Sequence, residues 1–185
     1  MNKEAIEKAV YEILIAIGEN PNRKELLDTP ERVARMYEDI FSGIGRDPTE
    51  GIKTFEEKGT DGMIVLKDIR FHSVCEHHLI PFFGRVAAAY IPKNGKIVGL
   101  GKIARIVDIV SKRPQMQERL TREIGAAIMK GADAAGVAVM VEAEHLCMNM
   151  IGAKKPGAKT ITTEFFGVFK DDPALRAEAI GLIKN

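Results

Sequence analysis

Soft metal ligands are scarce in this chain: its 185 residues include two cysteines and four histidines. Two thiols cannot build a disulfide scaffold, and here they read as free thiols or metal ligands. An excess of one charge is also missing, with 27 Lys and Arg against 26 Asp and Glu for a net of +1. A nucleic-acid partner calls for a stronger basic bias, so none is expected, although local basic clusters could grip a small anion. No stretch approaches the roughly 18 apolar residues that cross a bilayer, which excludes a membrane-spanning helix. The N-terminus, MNKEAIEKAVYEILIAIGEN, interleaves charge with its apolar residues and does not read as a signal peptide. The expected location is cytoplasmic. Internal repeats and low-complexity linkers are lacking too. What is present, 45% hydrophobic and 29% charged residues with 17 Gly and 8 Pro, suits one globular domain with room for a helical arm.

Apolar residues at Ile6, Val10, Ile13, Leu14 and Ile17 have helical spacing, and Gly18 is a natural stop. A second helix is expected from Thr29 as N-cap and Pro30 at the first helical position, with Val33, Met36, Tyr37, Ile40 and Phe41 as its buried stripe. Strand-like runs follow at 63–74 and 82–92, the second leading into the turn Lys93-Asn94-Gly95-Lys96. A helix with Ile103, Ile106, Val107 and Val110 on one face comes next, and Pro114 is read as the start of another. Runs at 137–152 and 160–169 are read as strands, and a short helix closes the chain. Paired strands with short turns predict an antiparallel four-stranded sheet with helices on one face, an α+β domain over 61–185 behind an arm over 1–60. Such a sheet has two open edges, which invite pairing with further subunits.

The soft ligands fall in two clusters. Cys75, His77 and His78 share FHSVCEHHLIPFFG with His72, while His145 and Cys147 share EAEHLCMNM. Cys75 and His78 are spaced to meet one metal, and Cys147 would deliver a third ligand from a distant strand. Three protein ligands leave a corner for water, the pattern of a catalytic zinc site. His145 and Cys147, two apart on an expected strand, would point to one face. His77 and His145 suit proton transfer beside the metal. Against this stand plainer readings: Cys147 as a small core residue, His145 as a satisfied histidine. His72 is read as structural or surface.

Candidate anion contacts are Lys102 and Arg105, one turn apart after the glycines of GLGKIARI, where helix-start N–H groups could hold phosphate. Taken alone, those glycines are better explained by simple turn chemistry. Arg32 and Arg35 form a similar pair on the arm, or a solvated face. Gln117 and Glu118 sit in the first turn of their helix. Glu118 either complements the helix dipole or accepts the N–H groups of a guanine-like edge.

CEHHLIPFFG, RPQMQERLT, EAEHLCMNM and DTPERVARMY together resemble the GTP cyclohydrolase I family, in register from about residue 4 onward. The resemblance implies the tunnelling fold, whose sheets join edge to edge into a barrel of five subunits, two rings forming a homodecamer. It implies Zn2+ on Cys75, His78 and Cys147, and proton transfer by His77 and His145. It implies opening of the GTP imidazole ring at C8, release of formate and closure to dihydroneopterin triphosphate, the first step toward folates and pterins. Glu118, with Gln117 beside it, would anchor guanine. Leu100, Lys102, Arg105, Arg32 and Arg35 would complete the substrate contacts, the last two from a neighbouring subunit.

Three departures from the family pattern stand out. Ile151 occupies a position that commonly carries Arg, Gly101 one that tends to carry Ser or Thr, and Phe165-Phe166-Gly167 replaces a Val-Arg-Gly run. The zinc and guanine ends are intact while the phosphate and ribose end is altered. Alternatives are therefore a divergent paralogue acting on another guanine nucleotide or stopping at the ring-opened formamide, and a non-catalytic oligomeric purine-binding protein with structural zinc. Lys154, Lys155 or Lys159 could replace the missing charge, or simply be solvated. A zinc deaminase lacks its His-x-Glu and Pro-Cys-x-x-Cys pair here.

Overall fold

A computed structural model describes residues 1–184. Contacts group Met1–Ser42 as one unit and the residues from Gly43 onward as another. The first unit holds α1 (Lys3–Ala16) and α2 (Thr29–Ile40). Asn2 caps α1 by accepting the Ala5 N–H at 3.1 Å, and Lys3 is paired with Glu38 of α2 at 2.6 Å. Asp28, not Thr29, holds the N-cap position of α2, and it makes no side-chain cap. Its carboxylate accepts instead from Arg32 at 3.0 Å, so the side chain is drawn along the helix and away from the free amides. The expected buried stripe is only half realised: Val33, Tyr37, Ile40 and Phe41 are half-buried and Met36 is exposed. Two helices offer too little surface to enclose one another's apolar faces.

The second unit begins with β1 (Thr54–Glu56), β2 (Ile64–Cys75), β3 (Pro81–Ile91) and β4 (Lys96–Val98). It continues with α3 (Leu100–Ser111), β5 (Pro114–Gln115), α4 (Gln117–Ala132), β6 (Gly136–His145) and α5 (Leu146–Met150). β7 (Lys159–Gly167), α6 (Val168–Asp171) and α7 (Pro173–Lys184) complete it. The main sheet has the order β5-β2-β3-β6-β7, and β1 pairs separately with β4. The four long strands are antiparallel neighbours, as expected, but a two-residue parallel strand adds to them. Pro114 therefore does not open a helix: it pairs with Val74, and α4 starts only at Gln117. A proline disfavours helical backbone at the residue before it and is tolerated at a sheet edge, where no donor is needed.

Helices α3 and α4 cover one face of the sheet, where Phe71, Phe82, Val86, Tyr90, Val139 and Val141 meet Ile103, Ile106, Leu120, Ile124 and Ile128. The opposite face is covered in part by α7, whose Ala179 and Ile183 pack on Ala87, Ala89 and Ala138. That third packing helix was not part of the sequence expectation of helices on one face.

A bulge decides which way β2 presents its last residues. Leu66 pairs with Ala88 but Ile69 pairs with Val86, so β2 carries one extra residue there. Asp68 within the bulge has φ +56°. Because strand side chains alternate, the extra residue switches parity: Ile64 and Leu66 join the helix-side core before it, and Ile69, Phe71 and Cys75 after it. Cys75 reaches the helix side only through this switch. Gly125 has a comparable role on α4. A Cβ there would meet the Phe166 ring at 2.3 Å, so the missing side chain lets α4 lie close on β7.

Candidate active site

Cys75 ends β2, and the chain then makes a single tight turn. The Cys75 carbonyl accepts the Leu79 N–H at 2.8 Å, the Cys75 N–H donates to Ile80 O at 2.9 Å, and Leu79 takes φ +52°. A helical turn of this kind places residues i and i+3 on one side, so Cys75 and His78 converge. Cys75 Sγ lies 3.9 Å from Nδ1 of His78 and 3.9 Å from Nδ1 of His77.

The third thiol arrives by a route the sequence did not indicate. β6 stops at His145, which pairs with Phe82, and Cys147 stands in the first turn of α5. The expectation that His145 and Cys147 share a strand face is thus corrected. A strand continued to Cys147 would need Pro81 and then Ile80 as partners, but Pro81 has no N–H to donate and Ile80 lies outside β3. The helical turn nonetheless brings Cys147 to the pair: the ligand atoms of Cys75, His78 and Cys147 all lie within 4.8 Å of one another. No fourth His, Cys, Asp or Glu joins that group among the described residues. Tetrahedral zinc, with bonds of about 2.3 Å to sulfur and 2.0–2.1 Å to nitrogen, holds its donors roughly 3.3–3.8 Å apart. Small side-chain rotations bring the three into that range, so donor chemistry and spacing fit a divalent ion. Burial, and then the neighbouring Cys75, push the Cys147 thiol up from its usual range. A cation between the two sulfurs removes that penalty.

His145 lies in the same cleft of about 240 Å³, with Cys75, His77, Glu118 and Cys147. Its ring stacks on Phe82 with centroids 4.6 Å apart and planes 2° from parallel. Its Nε2 is 2.7 Å from Gln117 Oε1. The amide nitrogen of Gln117 donates toward Val141 O, Thr160 O and Thr162 Oγ1 at 3.1, 3.0 and 3.1 Å. Two carbonyl partners leave no doubt which end of that amide is nitrogen, so Oε1 faces the imidazole and Nε2 of His145 carries a proton. Nδ1 remains for other work. Burial lowers the His145 pKa, and the charge of Glu118 opposes the fall. Glu118 is exposed at the start of α4, and its carboxylate makes no hydrogen bond among the described residues.

The structure gathers Cys75, His77, His78, Gln117, Glu118, His145 and Cys147, and it leaves the expected phosphate contacts elsewhere. Gln117 lines the cleft and is 2% exposed, with both ends of its amide hydrogen-bonded to protein groups. The sequence expectation places it beside Glu118 as a substrate contact; Gln117 shares the buried face of α4 with Leu120, Thr121 and Ile124, a helical spacing that is visible in the sequence and leaves Glu118 off that face. Leu100, Lys102 and Arg105 sit on α3 and line none of the cleft. Arg32 and Arg35 pair along α2 with Asp28 at 3.0 Å and Glu31 at 2.6 Å. Lys159 is turned to the other sheet face, paired with Glu142 at 2.7 Å. His72 lies there too, its ring 6.0 Å from Phe83.

The family model described as GTP cyclohydrolase I matches residues 6–184. A protein named GTP cyclohydrolase 1 from Bacillus subtilis is 55% identical over 185 residues, covering 100% of this chain and 97% of that protein. Another of that name, from Caldanaerobacter subterraneus subsp. tengcongensis, is 56% identical over 185 residues, 100% of this chain and 98% of its own. Among solved structures, an archaeosine synthase QueF-Like in the apo form aligns with 60% of this chain at 16% identity and a TM-score of 0.46, too slight a likeness to bear on function. With one model spanning nearly the whole sequence and relatives more than half identical end to end, the chain belongs to the GTP cyclohydrolase I family.

Proposed function

We propose that this chain hydrolyses GTP at C8 of the purine, releases formate and forms 7,8-dihydroneopterin triphosphate. The observation that carries the reading is the convergence of Cys75, His78 and Cys147 within 4.8 Å, beside a cleft that also holds His77, His145 and Glu118. Cys75, His78 and Cys147 would hold Zn2+, and the chemistry it supplies when bound is a water made acidic enough to react near pH 7. Glu118 accepts the N1–H and amino N–H groups of guanine. His145 acts in its imidazolium form, which the neighbouring Glu118 charge favours: Gln117 holds the Nε2 proton while the Nδ1 proton passes to the purine N7, leaving a neutral imidazole and making the C8 carbon electrophilic. His77 carries the second proton transfer as the ring opens. Lys102 and Arg105, with Leu100, contact the nucleotide's phosphate and ribose end, joined by Arg32 and Arg35 of a neighbouring subunit. A homodecamer of two pentameric rings is supported by the open edges of the sheet: β7 is terminal, and β5 covers β2 only at Val74 and Cys75. The cytoplasm, with its GTP, is the compartment that suits this chemistry.

The test is a product assay: zinc-loaded protein incubated with GTP should release formate and build pterin fluorescence together. Absence of both would refute the reading. One observation favours a second reading. Ile151, at the end of α5, is 40% exposed and uncharged, and Lys159 is engaged with Glu142 on the opposite face. A substrate with fewer phosphates, or arrest at the ring-opened formamide, follows if Lys102, Arg105, Arg32 and Arg35 do not make up for the charge missing at Ile151. Formate without pterin, or GMP binding as tightly as GTP, would establish it.

A further inference from the structure

Glu76 lies between Cys75 and the two histidines, and it is tied twice. Its backbone N–H donates to Gln115 O at 3.1 Å, and its carboxylate is paired with the Arg119 guanidinium. Arg119 Nε in turn donates to the Gln115 side-chain oxygen at 2.9 Å. Glu76, Arg119 and Gln115 therefore form a closed ring of hydrogen bonds. Gln115 is itself anchored. It is 1% exposed, and its amide nitrogen donates to Val110 O at 3.1 Å and to Glu123 Oε2 at 2.7 Å. Arg113 completes the chain by donating to the same Glu123 oxygen at 2.7 Å.

We infer that Arg119 and Glu76 are positioning residues that hold the Cys75–His78 turn in its metal-binding geometry before any ion arrives. The inference rests on the metal reading above. The turn needs such support because Leu79 keeps a left-handed backbone, a conformation that costs a branched residue of order 1 kcal/mol and persists only where neighbours enforce it. A residue fixed by both its amide and its side chain cannot rotate its peptide planes, and those planes aim Cys75 and His78. The network also joins the two halves of the site. The first turn of α4 carries Gln117, which holds His145, and Arg119, which holds Glu76, so one helix end sets the proton-transfer group and the metal turn in register.

The experiment uses the full chain and zinc itself as the probe. Zinc affinity is measured by competition with a chromogenic chelator for wild type, Arg119→Gln, Glu76→Gln and the double variant, alongside thermal unfolding of the metal-free proteins. Outer partners of a metal site typically contribute 10–100-fold in affinity, so each single variant should bind zinc about tenfold more weakly. The double variant should be no worse than either, because Arg119→Gln removes the guanidinium and Glu76→Gln leaves it only a neutral acceptor, so both weaken the same ring. The sign separates position from charge. The two substitutions remove opposite charges, so a through-space field would move the affinities in opposite directions, whereas lost position lowers both. Zinc affinity within twofold of wild type in the single variants, opposite shifts, or losses that multiply in the double variant overturns the inference. A fall in metal-free stability with unchanged affinity overturns it as well, since the pair is then only structural. Glu76→Gln keeps the side-chain shape and serves if Arg119→Gln does not fold. Failure of the wild type to bind zinc would instead sink the metal reading.

Discussion

Gln117→Leu isolates the hydrogen bond that orients His145. Leucine nearly matches the volume of glutamine but removes the amide that donates toward Val141 O, Thr160 O and Thr162 Oγ1 and accepts from His145 Nε2. Each buried polar group left without a partner costs about 1–3 kcal/mol. Val141 and Thr160 stay paired in the sheet ladder, so the loss is that of the amide's own hydrogen bonds together with one imidazole N–H left without an acceptor, and unfolding free energy should fall by about 1–3 kcal/mol. The effect on turnover is separate. Freed of its partner, the imidazole can change tautomer or turn on the Phe82 ring, and a positioned general acid contributes about 10²–10⁴-fold. A loss near 10²-fold in kcat, about 2.7 kcal/mol of barrier, is expected. KM for GTP and zinc affinity should change little, because both ends of the amide are hydrogen-bonded to protein groups. The assays are urea denaturation and steady-state kinetics at saturating zinc. If KM rises with kcat preserved, Gln117 is a substrate contact after all. If kcat stays within threefold, His145 needs no help from the amide.

Other outcomes follow from the same geometry. Cys147→Ser should abolish stoichiometric zinc binding and activity while leaving the far-ultraviolet dichroism native, and chelation of the wild type should lower its melting temperature, restored by added zinc. Gly125→Ala should destabilise by about 1–3 kcal/mol in thermal denaturation, because its Cβ would stand 2.3 Å from the Phe166 ring. Asp133 is held below its ordinary range, chiefly by the Lys96 hydrogen bond, and Lys96 is raised by the same contact. The pair's contribution is therefore full between the two ordinary values. It is lost as pH falls through the lowered Asp133 pKa and again as pH rises through the raised Lys96 pKa. Asp133→Asn should flatten both limbs of melting temperature against pH; limbs identical to wild type would refute the assignment.

The ordering of helices and strands was legible from periodicity and punctuation, and so was the clustering of ligand-type residues. Asn94 and Gly95 take φ +56° and +68°, the backbone their sequence foretold. The boundaries at Pro114 and beyond His145 were not legible, because each depends on which strand lies alongside and not on local propensity. The role of Gln117 was hidden for a similar reason: its partners Val141, Thr160 and Thr162 are distant in sequence and become neighbours only when α4 lies across β6 and β7.

By itself, the sequence determined which chemistry is available: two thiols, a few imidazoles and a carboxylate at a helix start, on elements whose periodicity is local and so readable one segment at a time. Only the tertiary structure decided that they act together. The extra residue at the β2 bulge turns Cys75 to the helix side, the loss of a strand partner beyond His145 lets the chain coil and deliver Cys147, and a buried amide selects the proton on His145. Each of these depends on contacts between segments far apart in the chain, and no window of sequence contains both partners.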